Sequence, residues 1–167
     1  MVIREATEGD IPALAELHVR TWNETYPGVQ SPPTVALRER QWREAFAPQD
    51  GSWFALVVED GGRLVGFAKG KRYSHADLPQ FDGELNKIYV LREYHGRGLG
   101  ERLMEEVARR FLIQGIRSMV LFSEPSNPTG QFFEAMGGEK LLAKNGEFHG
   151  AYGWSDLKQL VAKCDGK

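Results

Sequence analysis

Residues 84–111 read ELNKIYVLREYHGRGLGERLMEEVARRF, and the period of the sequence changes part-way along them. Up to Leu91 the residues alternate as in a strand. Leu85, Lys87, Tyr89 and Leu91 share one face, and Glu84, Asn86, Ile88 and Val90 share the other. From Gly98 onward Leu99, Leu103, Val107 and Phe111 fall four apart, the apolar stripe of a helix that the spacing predicts to end near Gly115. Between the two lies HGRGLG, residues 95–100, where Gly96, Gly98 and Gly100 alternate strictly. A strand, a glycine-rich turn and a helix expose successive backbone N–H groups beside a positive helix end. That arrangement suits a phosphate, and glycines let it come close to the backbone.

Two common phosphate loops do not fit. A nucleoside-triphosphate loop needs Gly-Lys-Ser/Thr, whereas Gly100 is followed by Glu101 and Arg102. A dinucleotide fingerprint, G-x-G-x-x-G, needs a third glycine where this chain has Glu101 or Leu103. A plain strand-to-helix turn needs one glycine, not three.

Working outward, VIREA (2–6) reads as a strand. A helix then starts with Asp10 as N-cap and Pro12 in its first turn, and Ile11, Leu14, Leu17 and His18 carry it to about Asn23. YPGVQSPP is a loop, and a second helix is predicted over Thr34–Phe46. WFALVVED, GG and RLVGFAKGKRY give the clearest hairpin signal. After the glycine loop and its helix, IRSMVLFS reads as a strand and NPTGQFFEAMGG as a helix closing at Gly137 or Gly138. EKLLAKNGEFHGAYGW reads as two strands around Asn145-Gly146, and Ser155–Ala162 as a final helix. The order predicts one mixed α/β domain over residues 1–167, without repeats or a linker.

The bulk numbers narrow the function classes. With 21 Lys and Arg against 23 Asp and Glu the formal net charge is −2, so no general attraction draws the chain to nucleic acid or an anionic membrane. Arg92, Arg97, Arg102, Arg109 and Arg110 form a local basic exception, of which Arg109 and Arg110 read equally well as a solvated helix face. The single cysteine, Cys164, excludes an intrachain disulfide and a cysteine-rich zinc site. His75 and Asp77 share a polar loop and are read as no metal site. The first ten residues are charged and lack the apolar run of a secretory leader, and no stretch reaches membrane-spanning length. A cytoplasmic protein is the default expectation.

HGRGLG resembles the pyrophosphate loop of the GNAT superfamily of N-acetyltransferases, Gln/Arg-x-x-Gly-x-Gly/Ala, with His95 in place of the usual first residue. The resemblance extends further. IYV (88–90) matches the family's splayed cofactor strand, NPTGQFFEAMGG (127–138) its Asn…Phe-Tyr-Glu-x-Leu-Gly-Gly segment, and HVRTWNETYPG its first helix and acceptor-side loop. The implied fold is a mixed, mostly antiparallel sheet with a splayed cofactor-binding strand, flanked by helices.

The resemblance also implies roles. Acetyl-CoA, the co-substrate, would rest its pyrophosphate on His95, Gly96, Arg97, Gly98, Leu99, Gly100 and Glu101, and its pantetheine along Ile88, Tyr89 and Val90. Asn127 and Phe133 would complete the cofactor contacts, although Asn127 reads equally well as a helix N-cap. Trp22 and Tyr26, four apart, would face the acceptor, with core packing as the alternative. His149, Tyr152 and Trp154 on the last strand could flank the same cleft. The resemblance allows a homodimer.

Transfer of acetyl directly to an amine requires the neutral amine. A lysine-like amine of pKa about 10.4 is neutral in only about one part in 2,500 at pH 7, a deficit of about 4.6 kcal/mol. Glu84 is the candidate base, with a surface carboxylate at a strand end as the alternative. The backbone N–H of Tyr89 or Val90 is the family's usual oxyanion donor. The family's leaving-group acid is a tyrosine, and at that register this chain has Phe133, which cannot donate a proton. A thiol pKa near 8.5 makes the thiolate a tolerable leaving group. Ser123, Ser126, Tyr89 and water stay open as substitutes. The leading reading is an acetyl-CoA-dependent N-acetyltransferase acting on a primary amine of a small molecule or peptide. A non-catalytic acyl-CoA-binding or regulatory protein of the same fold, and an O-acetyltransferase, are the alternatives.

Overall fold

A computed structural model describes residues 1–166. The elements run β1 (Val2–Glu5), α1 (Ile11–Thr25), α2 (Val35–Phe46), β2 (Trp53–Asp60), β3 (Arg63–Arg72), β4 (Gly83–Val90), α3 (Leu99–Ile113), β5 (Met119–Phe122), α4 (Gly130–Ala135), β6 (Glu139–Leu142), β7 (Phe148–Trp154) and α5 (Leu157–Asp165). Short 3-10 turns at Glu8–Asp10 and Arg92–Tyr94 precede α1 and the glycine loop. The strands form one seven-stranded sheet in the order β1-β2-β3-β4-β5-β7-β6. The expected mixed, mostly antiparallel α/β architecture is what the chain adopts, with β4 and β5 as the parallel pair. By backbone contacts the chain divides into two compact units, residues 1–69 with 87–103 and residues 70–86 with 104–167.

In the first unit β1 lies antiparallel to β2, from Val2↔Glu59 to Glu5↔Leu56. The β2–β3 hairpin turns on Gly61-Gly62, as the sequence predicts. Val57, Val58, Val65 and Phe67 are fully buried, and Leu14, Leu17, Trp42 and Phe46 of the two helices are buried with them. At roughly 25 cal/mol for each Å² of apolar surface removed from water, such side chains contribute about 1.5–3 kcal/mol each. Asp10 does not cap α1 with its side chain. It closes a capping box with Thr7, accepts from the Thr7 N–H at 2.8 Å and takes both Arg4 Nη atoms at 2.8 and 2.9 Å. Thr34 caps α2 through the Leu37 N–H at 3.1 Å.

In the second unit β4 and β5 pair in parallel at Gly83↔Met119 and Glu84↔Val120. β7 lies antiparallel to β5, from Met119↔Trp154 to Phe122↔Ala151, and β6 pairs with β7 with an irregularity between Leu141 and Leu142. Phe111, Ile116, Met119, Phe133, Tyr152, Trp154 and Leu157 build the core. The predicted helix at 127–138 is shorter than the sequence suggests, spanning Gly130–Ala135. Asn127 Oδ1 instead accepts from the backbone N–H and hydroxyl of Thr129, an Asx turn that holds Pro128 outside the helix. α5 starts two residues later than the predicted Ser155 because Asp156 supplies the cap, accepting from Lys158 N–H at 3.0 Å.

Candidate functional site

The glycine loop lies wholly in the first unit. Gly96 and Gly98 have φ of 79° and 76°, the left-handed region where any other residue is strained. A Cβ on either would meet nothing within 4 Å, so these glycines are required by the turn and leave open space above it. Residues 95–98 are exposed, and α3 begins at Leu99. The first N–H groups of a helix have no partner inside it, so the loop delivers donors to that open space. Arg102 N–H, bonded to Gly98 O at 3.1 Å, marks where the helical ladder takes over.

The loop is tied down from both ends. His95 Nε2 donates to the Val90 carbonyl at 2.8 Å, linking the end of β4 to the turn. The Arg97 guanidinium lies 4.6 Å above the Tyr94 ring, and the Tyr94 hydroxyl donates to Asp60 at 2.6 Å. His95 therefore braces the loop against the end of β4. Ahead of it Ile88, Tyr89 and Val90 are each half-buried at the end of β4.

Tyr89 enters an aromatic cluster of the same unit. Its ring centroid lies 5.6 Å from Phe67 and 5.9 Å from His18, and His18 lies 5.1 Å from Phe67. Burial, with Tyr26 adding to it and Arg38 opposing it, pushes the Tyr89 phenol up to about 12. His18 is buried and accepts from Trp42 Nε1–H at 3.1 Å on Nδ1, so its neutral ring carries the proton on Nε2. Burial, reinforced by the charges of Arg38, Lys87 and Lys69, pushes His18 down to about 2. Trp22 and Tyr26 meet at 5.1 Å and are half-buried at the end of α1. They are neither core residues nor free surface. Sequence reasoning placed His18 in the apolar stripe of α1 and Lys87 on the strand face of Tyr89, but gave no role to Arg38, Lys69 or Lys87. Arg38 sits in the polar run LRERQW, and nothing in its neighbours singles it out.

The second unit holds the remaining expected residues. Glu84, half-buried, pairs with Val120 and accepts from Asn86 Nδ2–H at 2.7 Å. Asn127 spends its oxygen on Thr129, so its role as a local turn-former is occupied. Phe133 is buried, with ring centroids 5.4 Å from Tyr152 and 6.4 Å from Trp154. His149, Tyr152 and Trp154 do not flank one cleft. His149 is exposed beside Glu147 at 3.5 Å, while Tyr152 and Trp154 are buried with Phe133. Arg109 pairs with Glu105 at 2.8 Å and Asp165 at 2.6 Å, the solvated helix face that its sequence position allows. His75 Nδ1 accepts from the Asp77 N–H at 3.1 Å, a local turn contact.

The sequence profile of the acetyltransferase (GNAT) family matches residues 11–137. The chain belongs to this family. With the GNAT assignment comes the expected activity class, an N-acetyltransferase that uses acetyl-CoA. Among relatives, an uncharacterized N-acetyltransferase of Bacillus subtilis is 28% identical, over 96% of this chain and 96% of its own length. An L-methionine sulfoximine/L-methionine sulfone acetyltransferase of Pseudomonas paraeruginosa is 28% identical over 98% of this chain and 94% of its own. Among solved structures, a PaiA N-acetyltransferase of Thermoplasma acidophilum in complex with coenzyme A superposes with a TM-score of 0.73 at 21% identity, covering 91% of this chain and 96% of that one. Among the described residues, no helix is long and apolar enough to cross a membrane.

Proposed function

We propose that this GNAT protein moves an acetyl group from acetyl-CoA directly to a primary amine of a small molecule or peptide, with residues 1–167 working as one catalytic domain. The observation that carries the reading is the loop at residues 95–98, whose positive-φ glycines leave the backbone open immediately before α3. The fit to a pyrophosphate is chemical: N–H donors, a helix N-terminus and Arg97 converge on one exposed turn. His95 through Glu101 hold the pyrophosphate, Ile88, Tyr89 and Val90 run beside the pantetheine, and Asn127 and Phe133 contribute the contacts assigned to them by resemblance. Trp22 and Tyr26 face the acceptor.

Bound acetyl-CoA supplies the acetyl group as a thioester. Glu84 takes the proton that the amine loses as the new N–C bond forms and the C–S bond breaks. The backbone N–H of Tyr89 or Val90 donates to the carbonyl oxygen as negative charge builds there. Phe133 supplies no proton, and the sulfur leaves as the thiolate, which a thiol of pKa near 8.5 permits, while the proton released by the amine stays with Glu84.

Calorimetric titration with acetyl-CoA, followed by thiol release across an amine panel, tests the proposal. Binding with turnover of a primary amine supports it. Phe133, a phenyl ring where the family's acid stands, favours a second reading, a non-catalytic acyl-CoA-binding protein. Binding without turnover on any amine would establish that one, and turnover with alcohols alone would establish O-acetyl transfer.

A further inference from the structure

Arg38 lies on α2, four residues before Trp42, and its charge acts on both His18 and Tyr89. Its Nη1 donates to Gln41 at 2.9 Å, but its Nε is buried and has no hydrogen-bond partner in the protein. A buried guanidinium donor left unmade is costly, and native structures keep such groups where a ligand or water completes them. Among the described residues no Asp or Glu pairs with Arg38, and the charge that acts on it is that of the Tyr89 phenol, which is neutral near pH 7. Two further cations reach the same place. Lys69 and Lys87 act with Arg38 on the His18 ring, and Lys69 Nζ lies 5.8 Å from the Trp42 ring centroid. No carboxylate stands among the charges acting on His18.

This surrounding discriminates between amines. A polyamine or a simple alkylamine arrives as a bare cation and offers nothing to the unpartnered Arg38 guanidinium. An amine that also carries a carboxylate brings the missing countercharge, and a guanidinium is the side chain best shaped to receive it. We infer that Arg38 is a specificity-determining residue that anchors the carboxylate of a free amino acid, whose amine is the acetyl acceptor. This inference rests on the N-acetyltransferase reading above. It narrows the acceptor class to amino acids and excludes polyamines and peptide N-termini, whose first residue has no free carboxylate beside its amine. The same cations favour loss of a proton from the nearby ammonium, which eases the demand on Glu84.

The test compares matched acceptors with the full-length protein and acetyl-CoA. Each of the standard L-amino acids is assayed beside its amide and its decarboxylated amine. The preferred amino acid is expected to exceed both analogues in kcat/KM by about tenfold to a hundredfold, with most of the difference in KM. Arg38→Gln should bring that ratio close to one, and Arg38→Lys should restore part of it. Acetyl-CoA affinity, measured by calorimetry on each variant, confirms that the variants are folded. Amides or decarboxylated amines used as well as the acids would overturn the inference, as would a ratio that survives Arg38→Gln. Absence of turnover on every compound would instead sink the N-acetyltransferase reading. The inference is then decided by thermal shift: stabilisation by the amino acids that vanishes in Arg38→Gln upholds it, and no stabilisation overturns it.

Discussion

Trp42 donates its indole N–H to Nδ1 of His18 across 3.1 Å, and both residues are only 2% exposed. A protonated His18 could not accept that bond, so the fold requires the neutral ring. The folded pKa lies near 2 and the unfolded one near 6.5. Between those values the unfolded chain binds a proton that the folded chain does not. The stability His18 contributes is therefore complete above about pH 6.5 and lost as the pH falls.

Chemical denaturation at pH 7.5, 6 and 5 should show this. The wild-type protein is expected to lose up to about 1.4 kcal/mol for each pH unit below 6.5 through His18. His18→Gln keeps an acceptor for Trp42 but cannot titrate, and its stability should fall less steeply. Asp10, held near 2 by Arg4, contributes its own loss only below about pH 3.8 and stays clear of this window.

Gly98→Ala forces a Cβ onto a residue with φ of 76°. The strain of the left-handed region is about 1–2 kcal/mol. Nothing within 4 Å collides with the new methyl, so the cost comes from the backbone alone. If the turn relaxes, its N–H groups lose their alignment. Calorimetry should find acetyl-CoA bound about tenfold more weakly, the binding equivalent of 1.4 kcal/mol. Unchanged affinity would remove residues 95–98 from the cofactor site.

Glu84→Gln retains an acceptor for Asn86 but not a base. The rate is expected to fall by about 10² or more, most steeply at low pH where the amine is protonated, with acetyl-CoA affinity unaltered. A pH–rate profile that keeps its wild-type shape would take the base assignment away from Glu84.

Phe133→Tyr restores the residue type of the family's acid, but position 133 is only 3% exposed and its ring lies against Tyr152 and Trp154. A hydroxyl buried there without a partner costs about 1–3 kcal/mol. The expected result is a lower denaturation midpoint with no gain in kcat. A variant that is faster and equally stable would show that a proton donor at 133 reaches the leaving sulfur.

Most of the element order was legible because periodicity and turn chemistry agree with the final packing. The Gly61-Gly62 hairpin, the apolar stripe of α3 and the helix ending at Phe46 are local signals that tertiary contacts did not override. Asn127-Pro128 misled because a cap before a proline and an Asx turn begin with the same residues, and only the Thr129 contacts separate them. The glycine loop was legible for the same local reason. The surroundings of His18 and Arg38 were not. His18 reads as part of a helical stripe, and Arg38 reads as solvent-facing until the fold buries its Nε. Chain-distant neighbours, Tyr89 above all, give both residues their meaning.

If a free amino acid is the acceptor, as inferred above, the unpartnered Arg38 Nε bears on product release. Acetylation turns a charged ammonium into a neutral amide but leaves the carboxylate of an amino acid in place. The acetylated product thus keeps its attraction to Arg38 and sheds the repulsion that its parent felt. It should leave more slowly than the acceptor enters, so N-acetyl amino acids should compete with their parents, and turnover should be paced by product departure.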